Sequence, residues 1–268
     1  MALRLVIVGG GQIGGAIASG LLDASWCTPA ELGIVEIDRG RRTALEERHP
    51  GVSVTDALGL DQVDDATGAV LSVKPEVAEG AARLLGAAGV RRVLSIVAGL
   101  SAGRIESVLP GEAAVVRAMP NTPVLVRKGV AAIAGGSHAT AADLDWAEGV
   151  LGALGAVVRL PERHLDVVTG LSGSMPAYLY LVVEALIEAG VYQGLTREAA
   201  TVLVVRTLEG AGALLAATGE SPESLRAQVT SPGGTTAAGL RTLEARAVRS
   251  AFIEAVASAT ERSRQLGR

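Results

Sequence analysis

Over roughly the first 160 residues, short apolar runs alternate with stretches of helical spacing, which is the pattern of a βαβ chain. Arg4–Val8 reads as a short parallel strand covered on both faces, followed by Gly9–Gly15 and then by Ala16–Leu22 at helical spacing. Leu32–Val35 is a second run and ends at Glu36. Ala69–Val73 closes on Lys74-Pro75, and Val93–Val97 closes on Ala98-Gly99. Val115-Val116 leads into Met119-Pro120-Asn121-Thr122-Pro123, and Val130–Ile133 and Val157-Val158 are two more short runs. The series predicts an α/β fold with an N-terminal, Rossmann-type, doubly wound parallel sheet spanning residues 1–160.

The periodicity then changes. From Leu165 onward no strand pattern recurs, only long Ala/Leu/Val-rich helical patterns separated by glycine and proline. Gly190 and Gly194 bracket a turn, Thr196 is an N-cap, and Ser221-Pro222 is a cap followed by a first-turn proline. Ser231-Pro232-Gly233-Gly234 forms a loop before a final helix that reaches the C-terminus. Residues 161–268 are therefore expected to form a second, all-helical domain.

Composition narrows the function classes. With 49% hydrophobic residues and only six aromatic ones (two Trp, three Tyr, one Phe), the cores must be filled by Ala, Val, Leu and Ile. The net charge of −4 and scattered basic residues argue against a nucleic-acid surface. The single Cys27 excludes a disulfide framework and a multi-thiolate metal site, and His49, His138 and His164 show no ligand spacing, so no metal is expected. Nothing resembles a signal peptide: the N-terminal apolar run is only Leu5–Val8. The longest membrane-span candidate, Met175–Ile187, is broken by Pro176, two tyrosines and Glu184, short of the roughly 20 apolar residues a span needs. A soluble, cytoplasmic protein without membrane partners is the expectation.

Gly9-Gly10-Gly11-Gln12-Ile13-Gly14 fits G-x-G-x-x-G after a strand and before a helix. Gly9 allows the tight turn, Gly11 lets the backbone approach a pyrophosphate, and Gly14 permits close helix–strand packing. The helix N-terminus offers unpaired N–H groups to the anion. Glu36, at the end of the second strand, suits an adenosine 2′-hydroxyl and would repel a 2′-phosphate. Arg39, Arg41 and Arg42 in the next turn could pair with such a phosphate or simply solvate a helix start. NADH and NADPH both stay open, with a lean to NADH from Glu36.

Three further segments are Val116–Pro123, Thr169–Tyr178 (Thr-Gly-Leu-Ser-Gly-Ser-Met-Pro-Ala-Tyr) and Val229–Thr236 (Val-Thr-Ser-Pro-Gly-Gly-Thr-Thr). With the N-terminal glycines and Ser72-Val73-Lys74-Pro75, they resemble the pyrroline-5-carboxylate reductase family along essentially the whole chain. That resemblance implies that Val8–Ile13 bind the cofactor phosphates. It implies that Ser72, Val73, Lys74 and Pro75 lie along the nicotinamide half, with Ile96, Val97 and Ala98 at another cofactor-contacting strand end. Gln228 falls where the family often has an asparagine near the cofactor. Glu162 matches a carboxylate that contacts the substrate ring, and Thr235 and Thr236 match the substrate-binding pair. The family forms homodimers through interlocked C-terminal helices, commonly five dimers to a decamer.

The chemistry fits these residue types. Reducing a cyclic imine carboxylate needs hydride at carbon, oriented rings, and a seat for the carboxylate. A loop of Ser231, Pro232, Gly233, Gly234, Thr235 and Thr236 leading into a helix offers backbone N–H groups and a positive dipole end. Thr236 can donate a hydrogen bond to the ring nitrogen, while a protonated iminium or water supplies the proton; its bland alternative is a helix N-cap. Lys74 more often positions backbone than acts as an acid, and His164 reads as a surface residue. Ser172 and Ser174 read as helix caps, and Tyr178 and Tyr180 as packing residues, one of whose hydroxyls could reach the site.

Met175 departs from the family's usual small residue, and Gly59 from a cofactor-contacting asparagine. The expected activity is NAD(P)H-dependent reduction of 1-pyrroline-5-carboxylate to L-proline. The alternatives are a reductase of another cyclic imine carboxylate or a non-catalytic nucleotide-binding homologue. The very apolar C-terminal helices predict burial against a partner subunit.

Overall fold

The computed structural model describes residues 3–59 and 63–267. Their contacts define two compact units, Met1–Ser174 with Ala257–Arg268, and Met175–Val256.

In the first unit, β1 (Leu5–Val8), β2 (Leu32–Val35), β3 (Ser53–Thr55), β4 (Gly68–Leu71), β5 (Arg92–Ser95), β6 (Ala114–Pro120), β7 (Gly129–Gly135) and β8 (Gly155–Arg159) form one sheet. Its order is β3-β2-β1-β4-β5-β6-β7-β8. The expected doubly wound sheet is present, with one correction: β7 runs antiparallel to β6, and β8 is parallel to β7, so the last two strands are reversed. Only residues 121–128 separate β6 from β7, too few for the crossover of a dozen or more that a parallel return needs. β3 was not visible in the hydrophobic pattern, because its three residues sit half-buried at the sheet edge.

Strand alternation feeds a core on each face. Leu5 and Ile7 pack with Ile17 and Leu21 of α1 (Gln12–Asp23) and Val150 and Leu151 of α5 (Ala141–Gly152). Val6, between them in sequence, packs with Ala78 and Leu85 of α3 (Pro75–Ala87) and Ile105 of α4 (Ala102–Glu106). A strand buried on both faces reads as a continuous apolar run, which is why β1, β2, β4 and β5 were legible. Cys27 is buried, and that burial pushes its thiol above the ordinary range, so it serves as an inert packing group.

After Pro161 a short 3₁₀ turn, α6 (Leu165–Val168) and a π-helical turn (Thr169–Gly173) lead into α7 (Met175–Tyr192). Ser174 stands at the C-cap of the π turn, as expected of a cap, whereas Ser172 lies inside it; their hydroxyls donate backward to the Thr169 carbonyl (3.1 Å) and the Val168 carbonyl (3.2 Å). In the second unit, Thr196 caps α8 (Arg197–Thr218) and Ser221 caps α9 (Pro222–Gln228), with Pro222 in the first turn. Gly190 lies inside α7 rather than at its end. Its carbonyl accepts the Leu195 N–H at 3.0 Å and closes the C-cap around Gly194 (φ +98°). The expected final helix is two, α10 (Thr235–Ala245) and α11 (Val248–Leu266), parted at Ala247 by a left-handed φ of +54°.

Leu181, Val202, Leu203 and Ile253 of this unit are each more than half exposed. Among the described residues, Glu162–Tyr192 and Arg197–Thr218 are long and apolar enough to cross a membrane by length and composition. The shorter apolar window expected from sequence falls inside the first of these, because the helical run begins before Met175 and continues to Tyr192.

Candidate active site

The glycine turn sits at the C-terminal end of β1, where the chain order reverses between β1 and β4. That position is the crevice where open α/β sheets hold their ligands. Gly9 has φ +101°, and a Cβ there would collide with the Ser72 carbonyl oxygen of the neighbouring strand end. A Cβ on Gly14 would collide with the Gly9 carbonyl oxygen, so the turn and α1 approach as closely as backbone allows. Gly11, the N-cap of α1, has open space around its would-be Cβ. The first-turn N–H groups of Gln12, Ile13 and Gly14 have no intrahelical acceptor. Val8 is the last residue of β1, and its carbonyl accepts the Ser72 N–H at 2.8 Å.

Glu36 is only 5% exposed, and both of its oxygens are engaged. Oε2 accepts the Gly10 N–H (3.0 Å); Oε1 accepts the Asp38 N–H (2.9 Å) and the Arg41 guanidinium (3.3 Å). The acidic residue thus fastens the second strand to the glycine turn, and Gly10 gives its N–H to Glu36 rather than to a phosphate. A carboxylate has about four acceptor positions, so one stays free for a ribose hydroxyl. The arginines divide: Arg42 is committed to the carbonyls of Glu36 (2.9 Å) and Ile37 (2.8 Å), Arg41 leans on Glu36, and Arg39 is exposed.

Ser72, Val73, Lys74 and Pro75 follow β4 directly; Ser72 lies against the glycine turn, and Lys74 and Pro75 are exposed at the head of α3. Ile96, Val97 and Ala98 follow β5, and the Ile96 N–H donates to the Leu71 carbonyl (3.0 Å). Val97 is buried and Ala98 exposed, so the loop turns one side inward and leaves its tip open. The structure therefore gathers the glycine turn, Glu36, Ser72–Pro75 and Ile96–Ala98 along one edge of the sheet.

Glu162 is not free. Its Oε1 accepts the Ala102 N–H (2.8 Å) and the guanidinium of Arg117 (3.2 Å), which is almost wholly buried in β6. Oε1 belongs to this clamp, leaving Oε2 for any further partner. Arg117 belongs to the Val116–Pro123 segment, and an arginine inside the apolar run from Val115 to Ala118 is itself the mark of a buried ion pair. Asn121, also buried, accepts the Val130 N–H (2.9 Å) and donates to the Ser172 carbonyl (3.3 Å), tying the end of β6 to the π turn.

Met175, Gln228 and the Ser231–Thr236 loop lie on the helical unit, and His164 and Gly59 on the sheet-bearing one. Ser231-Pro232-Gly233-Gly234 is a turn closed by the Gly234 N–H on the Ser231 carbonyl (3.0 Å), with Pro232 second and Gly233 at φ +71° third. Gly234 caps α10, so Thr235 and Thr236 are its first two residues and their N–H groups lack intrahelical acceptors. Thr236 is not the N-cap, and among the described residues its hydroxyl and that of Thr235 meet no hydrogen-bond partner. Gln228 has its amide held by Glu220 at 2.6 Å. His164 is exposed, as expected; Met175 opens α7 and is 39% exposed. Gly59 lies in the loop after β3.

Comparison with known proteins bears on both halves of this arrangement. Residues 162–266 match the family described as pyrroline-5-carboxylate reductase dimerisation, and residues 4–99 match one described as NADP oxidoreductase, coenzyme F420-dependent. The pyrroline-5-carboxylate reductase of Synechocystis sp. is 40% identical over 269 residues, covering 100% of both chains. That of Mycobacterium tuberculosis is 40% identical over 288 residues, covering 98% of this chain and 96% of its own. Among solved structures, the pyrroline-5-carboxylate reductase from Coxiella burnetii superposes with a TM-score of 0.92 at 31% identity, covering 100% of both chains. The Plasmodium falciparum pyrroline carboxylate reductase with NADP bound superposes with a TM-score of 0.84 at 28% identity, covering 99% of this chain and 98% of its own.

Proposed function

The chain belongs to the pyrroline-5-carboxylate reductase family of NAD(P)-dependent oxidoreductases, and from that premise we propose how its residues share the reduction of 1-pyrroline-5-carboxylate to L-proline. In this reading residues 1–160 form the dinucleotide-binding domain and residues 161–268 the substrate-binding and dimerisation domain. The observation that supports it most is the unengaged Thr236 hydroxyl at the head of α10, beside free N–H groups in the sequence Ser-Pro-Gly-Gly-Thr-Thr.

The residues at the sheet edge fit a dinucleotide. Open space at Gly11 and the free N–H groups of Gln12, Ile13 and Gly14 suit a pyrophosphate, with Val8 and Gly9 shaping the turn beneath it. Ser72–Pro75 and Ile96–Ala98 border the nicotinamide half. A reduced nicotinamide bound there supplies the hydride. Ser231, Gly233, Gly234 and Thr235 hold the substrate carboxylate through backbone N–H groups and the positive end of α10. Thr236 donates a hydrogen bond to the ring nitrogen as it gains electron density, and Glu162 meets the ring through Oε2. Gln228, steadied by Glu220, contributes on the cofactor side.

The test compares five- and six-membered cyclic imine carboxylates with the purified enzyme. One ring methylene is worth about 10-fold or more in kcat/KM in a close pocket, so the five-membered imine should lead by that margin. No turnover of it would sink the reading, and a six-membered preference would direct attention to Met175.

Cofactor preference turns on Glu36. Its buried charge opposes a 2′-phosphate and Arg42 is already spent on backbone, so NADH should be the better donor. Glu36→Gln should narrow the kcat/KM ratio of NADH to NADPH by about 10-fold, the equivalent of ~1.4 kcal/mol. Higher initial rates with NADPH in the unmodified enzyme at matched concentrations would overturn this.

The exposed faces of α7, α8 and α11 suit burial against a second copy of the chain, in the dimer that the dimerisation match supports and in decamers built from five such dimers. The same burial accounts for the two apolar helical segments in a soluble, cytoplasmic enzyme.

A further inference from the structure

The loop that carries Ile96, Val97 and Ala98 is held from a direction its own sequence does not reveal. It leaves β5 at Ser95 and enters α4 at Ala102. Val97 and Leu100 anchor it in the core, each 3% exposed, while between them Ala98 is exposed and Gly99 half-buried. Gly99 adopts φ +73°, and Leu266 and Gly267 lie directly against it. A Cβ on Gly99 would stand 3.2 Å from the carbonyl carbon and oxygen of Leu266 and 3.3 Å from the Gly267 nitrogen. A Cβ on Gly267 would stand 2.8 Å from the Gly99 carbonyl oxygen. The approach is backbone against backbone, and the positive φ at Gly99 together with the 2.8 Å a Cβ on Gly267 would leave to the Gly99 carbonyl favours glycine at both positions.

The tail is itself fixed. Its preceding turn carries Ser263, which is buried and donates from Oγ to Asp166 Oδ1 at 2.7 Å, and the Gly267 N–H donates to the Ser263 carbonyl at 3.3 Å. Asp166 lies in α6, one turn from Glu162, whose Oε1 holds the Ala102 N–H where the same loop ends. The loop tip is thus braced at Gly99 by the tail and at Ala102 by Glu162. Fixing backbone dihedral angles costs conformational entropy, which a braced loop has already lost before the dinucleotide arrives.

We propose that Leu266 and Gly267 are positioning residues for the dinucleotide: by bracing Gly99 they hold the Ile96–Ala98 loop in its binding shape. The proposal rests on the reading that this loop borders the nicotinamide. It concerns residues that touch neither substrate nor the reacting atoms, so their loss should raise KM for the reduced dinucleotide and spare kcat.

The experiment uses the full-length enzyme, a variant ending at Gln265, Gly267→Ala and Ala98→Asp. Each is measured for KM and kcat, for dissociation of the reduced dinucleotide without substrate, for thermal midpoint and for oligomeric state. Ending the chain at Gln265 should raise KM and the dissociation constant about 10-fold, since the loop residues it frees must be re-ordered on binding. Its kcat should stay within about twofold, with thermal midpoint and oligomeric state unchanged, because the change falls on ground-state binding. Gly267→Ala should shift KM in the same direction by less. If Ala98→Asp weakens dinucleotide binding and the shortened chain does not, the bracing role is wrong and the loop assignment stands. If Ala98→Asp leaves binding unchanged, the loop is not at the dinucleotide, and both fall. A shortened chain that loses thermal midpoint and kcat together at constant KM would show a stability role only and would also overturn the proposal.

Discussion

Gly14→Val is expected to weaken binding of the reduced dinucleotide by at least about 100-fold, through the loss of the oriented N–H groups that hold its pyrophosphate. The cause is geometric. Any Cβ on residue 14 falls onto the Gly9 carbonyl oxygen, and that carbonyl cannot retreat because Gly9 is pressed against the Ser72 carbonyl behind it. The strain must therefore be relieved by α1 moving off β1, which carries the N–H groups of Gln12, Ile13 and Gly14 away from the crevice. Overpacking of this kind costs about 1–3 kcal/mol of stability, so the variant should fold with a lowered thermal midpoint. Gly11→Ala is the control, since its Cβ meets nothing within 4 Å and the fold should be untroubled. Fluorescence titration with NADH measures both; near-normal affinity in Gly14→Val would mean that the pyrophosphate sits elsewhere.

Thr236→Val tests the other end of the chemistry and should behave in the opposite way. The hydroxyl it removes makes no hydrogen bond among the described residues, and valine keeps the side-chain shape, so stability and dimerisation should not change. Turnover should fall by about 100-fold or more, the usual consequence of deleting one donor that serves a transition state. Thr236→Ser, which keeps the hydroxyl, should recover most of it. A Thr236→Val enzyme with kcat within about twofold of the parent would remove Thr236 from the catalytic assignment.

The two variants separate what could be read from the chain and what could not. β1, β2, β4 and β5 were legible because burial on both faces makes a strand continuously apolar, and the caps at Thr196 and Ser221 because their chemistry is local. The Ser231–Thr236 turn was legible for the same reason: proline and glycine fix its dihedral angles without help from distant residues. What was hidden depends on contacts across the fold. The reversal of β7 follows from a connection too short to cross over, and β3 exists only as an edge added to β2. Glu162 could be singled out, but not the fact that Arg117, 45 positions away, and the Ala102 N–H take one of its oxygens. Glu36 was expected to face the ribose; that it also fastens Gly10 depends on where the second strand lies beside the first.

The membership of α11 in both compact units has a consequence for how the molecule is made. Val248–Val256 belongs to the helical unit, but from Ala257 onward the helix belongs to the sheet-bearing one, where Thr260 and Ser263 are buried. During synthesis the strands emerge first, yet their unit stays unfinished until residues beyond Ala257 have left the ribosome. The sheet-bearing unit is therefore completed only after every residue of the helical unit has been made, and a nascent chain halted before Ala257 lacks the turns in which Thr260 and Ser263 are buried.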